Sequence, residues 1–324
     1  MLPMMDTFDT FNVDTLDTLS DHFAIPSKLH FKALGDGLIA VDITNAHASA
    51  SLCLQGGHLL SWQPSNTAEP VVWMSPVATF APQTAIRGGV PICWPWFGAH
   101  SSAAIAPEST VPESKFPAHG FARTQPWQVT GTRSLEDGST EIALSYLPSE
   151  ATQKHWPHTC RLDMLLNVGT NLKIALITRN LGTSDFTITE ALHTYFAVSD
   201  VAQVQVEGLA GIHFRDKAAA WAQGDQVGNI GFTGEVDRVY THSTNRCTII
   251  DPVWQRRIHI AKLGSQSTVV WNPGAARAAQ MGDVGAEGWK RFVCVESANA
   301  LENAVTVPAG QSHTLAVEYR VEQI

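Results

Sequence analysis

The stretch "CRLDMLLNVGTNLKIALITRNLG", residues 160–182, alternates apolar and polar side chains on both sides of Gly169-Thr170-Asn171. A period of two is typical of a strand that buries one face, and a short Gly- and Asn-containing segment between two such runs is typical of a turn. The stretch therefore predicts an antiparallel hairpin.

The same pattern recurs along most of the chain. "GDGLIAVDITN" and "EDGSTEIALSYLPS" each begin with a turn signal and continue with alternation, and "ASASLCLQGGHLLSW" contains two short runs separated by Gly56-Gly57. Further alternating runs are "AQVQVEGL", "RIHIAKL", "STVVWNP", "RFVCVES" and "HTLAVEYRV". No stretch keeps a period of 3.6 over an ordinary helix length. The sequence therefore predicts an all-β protein with few short helices, in which two large and mostly antiparallel sheets pack together.

Two segments depart from this pattern. Residues 1–27 space Phe and Leu between Asp and Thr residues, which indicates an N-terminal extension with a short helix that packs against the body or frays. Residues 99–120 are rich in Ser, Pro and Ala and predict a long surface loop, which is either functional or an insertion. Because residues 28–324 contain no clear linker and no repeat of fixed period, we expect them to form a single domain.

Composition and charge exclude several classes of protein. The chain has 324 residues, 44% of them hydrophobic, which is enough for a large core. Its net charge of −9 argues against a nucleic-acid surface and a polybasic membrane patch, although a local arginine cluster could still bind a small anion. No apolar run approaches the roughly 20 residues of a membrane span, and no signal peptide is evident. We therefore expect a soluble cytoplasmic protein.

The cysteine pattern and the missing motifs concern cofactors and metals. The five cysteines are scattered, odd in number and never in a C-x-x-C pair, which favours reduced thiols over disulfides or a zinc site. The sequence has no phosphate-binding loop of the Walker type, no dinucleotide fingerprint, no H-E-x-x-H and no G-x-S-x-G. We therefore expect neither a cofactor nor a resident metal.

Aromatic and basic residues are concentrated in "AIRGGVPICWPWFG", residues 85–98. Two glycines after Arg87 permit a close approach of the backbone, and Trp94, Trp96 and Phe97 offer flat apolar surfaces. Sugar sites combine aromatic rings that stack on the pyranose with guanidinium groups that donate to its oxygens. A core corner that needs glycines and is filled by tryptophans explains the same residues, so both interpretations remain open.

Four shorter motifs carry the other candidate residues: His119 and Arg123 in "HGFAR", His193 in "EALHTYFAVSD", Asp237 in "GEVDRVY" and Glu296 in "RFVCVESAN". Taken one at a time, these residues have simpler explanations. His119 is better explained as a turn histidine and Arg123 as a solvated arginine. His193 is better explained as a half-buried strand histidine, and Asp237 as part of a surface Asp–Arg pair. Glu296 follows an apolar run and is expected at a partly desolvated strand end, where burial would raise its pKa and make it a better general base. With a period of two, His193 and Tyr195 share one face of this run.

In their order along the chain, "RGGVPICWPWFG", "PAHGFAR", "ALHTYFAVSD", "VDRVY", "VVWNPG" and "FVCVES" closely resemble the hexose-6-phosphate mutarotases, or glucose-6-phosphate 1-epimerases, a branch of the aldose 1-epimerase superfamily. The resemblance runs from about residue 28 to the C-terminus. It implies a large antiparallel β-sandwich of the galactose-mutarotase type, the supersandwich.

The resemblance also implies roles for individual residues. It makes His193 and Glu296 the catalytic residues, Arg87 and Arg123 the substrate-binding arginines and Asp237 a ligand contact, and it adds His119 as a further pocket residue. Some members have Gln where this chain has Ala118, so any contact from that side chain is missing here. The segment before "HGFAR" is longer than the usual loop.

The implied activity is the cofactor-independent interconversion of the α and β anomers of a hexose 6-phosphate, most simply glucose 6-phosphate. Glu296 would act as base at O1 and protonated His193 as acid at the ring oxygen O5. We expect a monomer without nucleic-acid or membrane partners. The alternatives are an aldose 1-epimerase for free sugars, a non-catalytic sugar-phosphate sensor, and a glycoside hydrolase that sets Glu190 or Asp237 beside Glu296.

Overall fold

The structure is a computed structural model that describes residues 15–100, 116–244 and 246–324. Its helices are α1 (Leu16–Phe23), α2 (Glu150–Gln153) and α3 (Gly274–Ala278), with 3₁₀ segments at Ala122–Thr124, Val201–Gln203, Gly288–Arg291 and Leu301–Asn303. The strands are β1 (Leu29–Gly35), β2 (Leu38–Thr44), β3 (Ala48–Cys53), β4 (His58–Pro64), β5 (Ile92–Cys93), β6 (Gln128–Ser134), β7 (Thr140–Tyr146), β8 (Cys160–Val168), β9 (Leu172–Asn180), β10 (Phe186–Ile188), β11 (Glu190–Leu192), β12 (Tyr195–Ala197), β13 (Gln205–Glu207), β14 (His213–Asp216), β15 (Ala222–Asp225), β16 (Val236–Tyr240), β17 (Cys247–Asp251), β18 (Arg256–Leu263), β19 (Ser267–Asn272), β20 (Phe292–Asn299), β21 (Val305–Val307) and β22 (Ser312–Gln323).

The hairpin predicted for residues 160–182 is present. Strands β8 and β9 pair antiparallel from Cys160 opposite Asn180 to Val168 opposite Leu172. Every second residue of β8 is buried, which is the period of two that the sequence shows. This hairpin lies in an eight-stranded sheet of order β13-β17-β18-β22-β9-β8-β7-β6, which we call the back sheet.

A second eight-stranded sheet, the pocket sheet, has the order β15-β14-β16-β19-β20-β11-β5, and β12 also pairs with β20. The two large sheets pack face to face, since residues of β20 such as Val293 and Val295 share one buried cluster with Leu315 and Tyr319 of β22. A four-stranded sheet (β1 to β4) and the pair β10-β21 complete the architecture. The predicted all-β, antiparallel β-sandwich with few short helices is confirmed.

The described part of the N-terminal extension contains α1. The Thr15 hydroxyl caps this helix by accepting from the Thr18 amide, and Leu19 is buried in the core. The Thr132 hydroxyl of β6 donates to the carbonyl of Phe23 at 2.7 Å, so the helix is joined to the back sheet. Residues 1–14 of the extension and residues 101–115 of the predicted loop lie outside the described residues. The boundary at residue 28 and the single domain stay predictions.

The run "EALHTYFAVSD" is interrupted where one strand was expected. Its two halves, β11 and β12, both pair with β20, with Leu192 opposite Ser297 and Tyr195 opposite Cys294. Between them the Thr194 amide donates to the Leu192 carbonyl at 2.9 Å, a tight local bond that takes this amide out of the ladder. His193 therefore lies across from Glu296 at the gap.

The two faces of this run are as predicted. Leu192, Phe196 and Val198 belong to the large core between the sheets. Tyr195 and Ala197 belong to a separate buried cluster with Cys294 on the other face of the pocket sheet. His193 stacks on Tyr195, with ring centroids 5.0 Å apart and planes inclined by 12°. The histidine thus faces away from the core, together with Tyr195.

Candidate active site

The face of the pocket sheet that points away from the back sheet carries most of the candidate residues. Along β20, Cys294 and Glu296 point to this face, because their neighbours Val293 and Val295 are in the core. On β19, Trp271 pairs with Cys294, and on β16, Asp237 pairs with Trp271. Strand register therefore brings a glutamate, an aromatic ring and an aspartate from three strands onto one surface.

His193 and Glu296 form a close pair at the centre of this surface. The His193 Nε2 lies 3.4 Å from Glu296 Oε1, and the two side chains are 10% and 1% exposed. Glu296 is the fifth of the eight residues of β20, so the expectation of a strand end was wrong. Glu296 is desolvated instead because it lies in the middle of β20, which has neighbouring strands of the pocket sheet on both sides.

Burial shifts both groups of the pair toward their neutral forms. It raises the pKa of Glu296 well above its ordinary value, and the Asp237 carboxylate adds to this while Lys217 opposes it. Burial also lowers the pKa of His193 well below its ordinary value, and His119, Arg87 and Arg123 add to that shift. Both shifts favour the arrangement in which Glu296 is protonated and His193 is not.

Two atoms of the pair have no hydrogen-bond partner among the described residues. Both His193 Nδ1 and Glu296 Oε2 are buried and unpaired. Buried polar atoms are nearly always hydrogen-bonded in folded proteins, so two such atoms on neighbouring side chains are a marked exception. They offer one acceptor or donor each to a bound molecule.

His119 is held as a neutral hydrogen-bond donor. Its Nδ1 accepts from the Gly98 amide at 3.3 Å and lies 3.4 Å from the Cys93 sulfur, which places the ring proton on Nε2. Burial, followed by the charge of Arg123, lowers its pKa to about 3. The ring centroids of His119 and His193 are 5.7 Å apart. His119 therefore belongs to the same pocket and stays uncharged at neutral pH.

Arg87 has two side-chain partners within the protein. Its Nε and Nη2 lie 3.0 and 2.9 Å from Oδ2 of Asp283, and its Nη1 donates to the Tyr195 hydroxyl at 2.7 Å. Gly88, next to it, has a φ of +101°, and a side chain there would come within 2.7 Å of the Met74 backbone. The glycine thus permits the close approach that the sequence indicated, and the arginine orients the tyrosine that stacks on His193.

Arg123 differs from Arg87 because no described carboxylate lies within ion-pair distance of it. Its Nη2 donates to the Ala118 carbonyl at 2.8 Å, and its buried Nε has no partner among the described residues. Gly120 lets the "HGFAR" turn pack on Trp94, since a Cβ there would lie 2.0 Å from the Trp94 carbonyl oxygen. The turn therefore presents a half-buried cation with unused donors.

Asp237 has a cationic neighbour that the sequence did not indicate. Lys217 Nζ lies 3.7 Å from Asp237 Oδ2, and the Lys217 amide donates to the Asp237 carbonyl at 2.7 Å. Burial raises the pKa of Asp237, and Lys217 opposes that shift. Neither Lys217 nor Asp283 belongs to a recognisable motif, because their positions depend on which strands become neighbours.

The tryptophans of residues 85–98 do not form the sugar-stacking surface considered above. Trp94 and Trp96 are fully buried in the core, and Trp94 donates to the Thr178 hydroxyl at 3.0 Å. The tryptophan near His193 is instead Trp271 of β19, with its ring 5.7 Å from that of His193 in an edge-on arrangement. For these two tryptophans the core interpretation is right.

Residues 15–100, 116–244 and 246–324 contain no group of three or more His, Cys, Asp or Glu side chains arranged to hold a metal ion. Over the same ranges no helix is both long and apolar enough to cross a membrane. All five cysteines are free and buried.

This fold is that of galactose mutarotase-like proteins. The structure of such a protein from Clostridium acetobutylicum superposes with a TM-score of 0.69 at 12% identity, covering 91% of this chain and 98% of that one, which shows a shared fold. The crystal structure of a protein from Salmonella typhimurium named "putative mutarotase" superposes with a TM-score of 0.83 at 34% identity, covering 93% and 96% of the two chains.

The sequence narrows the class further. The aldose 1-epimerase family matches residues 40–320, and the chain belongs to this family. A protein of Escherichia coli (strain K12) named "Putative glucose-6-phosphate 1-epimerase" is 38% identical over 289 residues, which are 88% of this chain and 91% of that protein. A protein of the same name from Cenchrus ciliaris is 34% identical over 81% of this chain and 78% of its own length. The resemblance seen in the sequence is confirmed.

Proposed function

We propose that this protein is an isomerase that interconverts the α and β anomers of a hexose 6-phosphate, with glucose 6-phosphate as the first candidate. Family membership and the names of the relatives support the reaction class. The observation that carries the proposal is the distance of 3.4 Å between His193 Nε2 and Glu296 Oε1. The interconversion of anomers removes a proton from one of the oxygens O1 and O5 and adds a proton to the other. Because both oxygens are bonded to C1, the acid and the base must lie close together.

The proposed reaction needs one base and one acid. Glu296 takes the proton of the O1 hydroxyl, the C1–O1 bond becomes a carbonyl, the C1–O5 bond breaks, and O5 takes a proton from His193. Rotation about the C1–C2 bond turns the other face of the aldehyde toward O5. The reverse transfers then close the ring as the other anomer, and every proton is returned.

The proton count of the pair fits this scheme. Ring opening consumes ionised Glu296 and protonated His193 and leaves both groups neutral. Burial favours that neutral arrangement of the pair. The cyclic substrate, in contrast, needs the proton to move from Glu296 to His193, and the 3.4 Å separation allows a direct transfer.

Arg123 supplies the contact that would select a phosphorylated sugar. Its guanidinium has no carboxylate partner among the described residues and retains donors that can form charge-assisted bonds to phosphate oxygens. Arg87 contributes charge, but its carboxylate partner Asp283 already occupies two of its nitrogen atoms. His119 would donate to a sugar oxygen, and Asp237 would accept from a hydroxyl.

Glu190 is not placed to act beside Glu296 in the glycoside hydrolase reaction that the sequence left open as an alternative. Glu190 pairs with Asn299 across β11 and β20, three residues from Glu296, and therefore points to the opposite face of the pocket sheet. There its Oε1 lies 2.8 Å from His313 Nε2 of β22 and accepts from Asn299. Only Asp237 remains to act beside Glu296.

Exchange spectroscopy by NMR tests the proposal. The rate of α–β exchange of glucose 6-phosphate with catalytic amounts of protein should exceed the protein-free rate and the rate with free glucose. Faster exchange of free glucose would indicate a free-sugar epimerase, and tight binding without any acceleration would indicate a sensor. The monomeric state and the cytoplasmic location stay predictions, and the elution volume in gel filtration tests the first.

A further inference from the structure

The charged groups that act on the two partners differ. Arg87 and Arg123 act on His193, whose ring lies near the uncharged rings of His119 and Tyr195, whereas Asp237 and Lys217 act on Glu296. Asp283 compensates Arg87 at 2.9 Å, and Lys217 compensates Asp237 at 3.7 Å. Among the described residues of this pocket, the charge of Arg123 is the one left without a carboxylate partner.

The position of Arg123 lets this charge act on His193. Its Nη2 is bonded to the Ala118 carbonyl, and the ring of the next residue, His119, is 5.7 Å from the ring of His193. Since like charges repel strongly in a desolvated site, Arg123 opposes the protonated form of His193 that ring opening needs. Without a counterion, the charge of Arg123 therefore favours unprotonated His193, the form that cannot act as the acid.

We propose that the phosphate of the substrate, by binding the unpaired guanidinium of Arg123, moves the proton of the pair from Glu296 to His193, so that Arg123 sets specificity through kcat as well as through KM. This inference rests on the proposed function. A phosphate dianion on Arg123 replaces a positive by a negative potential at His193. The C6 carbon that bears the phosphate is attached to C5, which is bonded to O5, so phosphate and ring oxygen lie on the same side of the sugar.

The first experiment supplies the substrate in two pieces. D-Xylose is D-glucose without the C6 group, and phosphite dianion replaces the missing phosphate. Phosphite should accelerate xylose anomer exchange by the wild-type protein about tenfold or more at saturation, after the protein-free rate at the same phosphite concentration is subtracted, since each unit of pKa change is a tenfold change in protonation. The same additions to Arg123→Gln should give no acceleration.

The second experiment reverses the sign of the effect. Without phosphite, Arg123→Gln should exchange free xylose faster than wild type, by up to about tenfold, because the charge that opposes protonated His193 is gone. The same variant should exchange glucose 6-phosphate more slowly. Arg123→Lys, which keeps the charge, should lack the gain on xylose. Arg133→Gln is a matched control, because Arg133 is exposed on β6 and pairs with Glu141 of the back sheet.

Either of two results overturns the inference: no phosphite activation of wild type, or an unchanged or lower xylose rate in Arg123→Gln. In both cases the phosphate would act as an anchor only. Failure of the proposed function itself looks different, because the wild-type protein would then fail to accelerate glucose 6-phosphate exchange at all.

Discussion

Replacing Glu296 by glutamine separates the chemistry of this pocket from its stability. The change keeps the size of the side chain and removes the base, so kcat for glucose 6-phosphate exchange should fall about 10²–10⁴-fold. That loss equals about 3–5 kcal/mol of transition-state stabilisation. The fold should tolerate the change, because glutamine has nearly the same size and Oε2, one of the two carboxyl oxygens, has no hydrogen-bond partner among the described residues that the change could remove.

The same substitution should have a pH-dependent effect on unfolding. The pKa of Glu296 is raised in the folded protein, so the folded state binds more protons than the unfolded state above pH 4.5. The contribution of Glu296 to stability is therefore fully present below pH 4.5 and is lost as the pH rises through the folded-state pKa. Glu296→Gln should thus gain in free energy of unfolding relative to wild type as the pH increases from 4.5 to neutral.

The assay combines NMR exchange spectroscopy with urea unfolding at several pH values. Glu190→Gln is the matched control, since Glu190 is also a fully buried strand glutamate with a histidine at 2.8 Å, but on the core face of the pocket sheet. It should lose about 1–2 kcal/mol of stability through the weakened contact with His313 and retain its exchange activity. A Glu296→Gln variant with wild-type exchange rates would show that the base is elsewhere. Equal losses of activity in both variants would mean that the effect is structural.

The remaining predictions concern the partners of Glu296. His193→Ala should reduce kcat by about 10²–10⁴-fold, and the double variant with Glu296→Gln should be hardly slower than either single variant, as expected for groups that act as a unit; additive losses would argue for independent roles. Arg123→Ala should raise KM for glucose 6-phosphate far more than for glucose, and equal changes would contradict a phosphate contact. The pH profile of kcat/KM should be bell-shaped. The acid limb should have its midpoint below pH 6.5, because burial lowers the pKa of His193, and the alkaline limb should have its midpoint above pH 4.5, because burial raises the pKa of Glu296. An acid midpoint above 6.5 or an alkaline midpoint below 4.5 would contradict this assignment. Tyr195→Phe should remove the 2.7 Å bond from Arg87 and lower kcat severalfold with little change in unfolding, which a urea titration would check.

The strands could be predicted because apolar and polar residues alternate along each of them, with the apolar residues on the buried face. The hairpin of β8 and β9 and the two faces of the run around His193 follow from a period of two. The break between β11 and β12 could not be predicted, because it depends on a bond from Thr194 to Leu192 that leaves no pattern in the sequence.

The composition of the site was predicted less completely. The motif residues come together, but the partners Asp283 and Lys217 arrive from segments distant in sequence and carry no signal of their own. Trp94 and Trp96 were open to two interpretations, because an aromatic residue beside glycines looks the same whether it lines a pocket or fills a core. Their burial decides for the core.

The gap between β11 and β12 has a consequence for variation in this region. From Leu192 to Tyr195 the chain advances three positions, and from Ser297 back to Cys294 β20 also advances three, so the pairing resumes without a slip. Adding or removing one residue here would turn Tyr195 and Phe196 over between pocket and core. Substitutions in this segment change one side chain at a time, whereas a change of length would exchange the inside and the outside of the strand that follows. The number of residues at this point is therefore as strictly constrained as their identity.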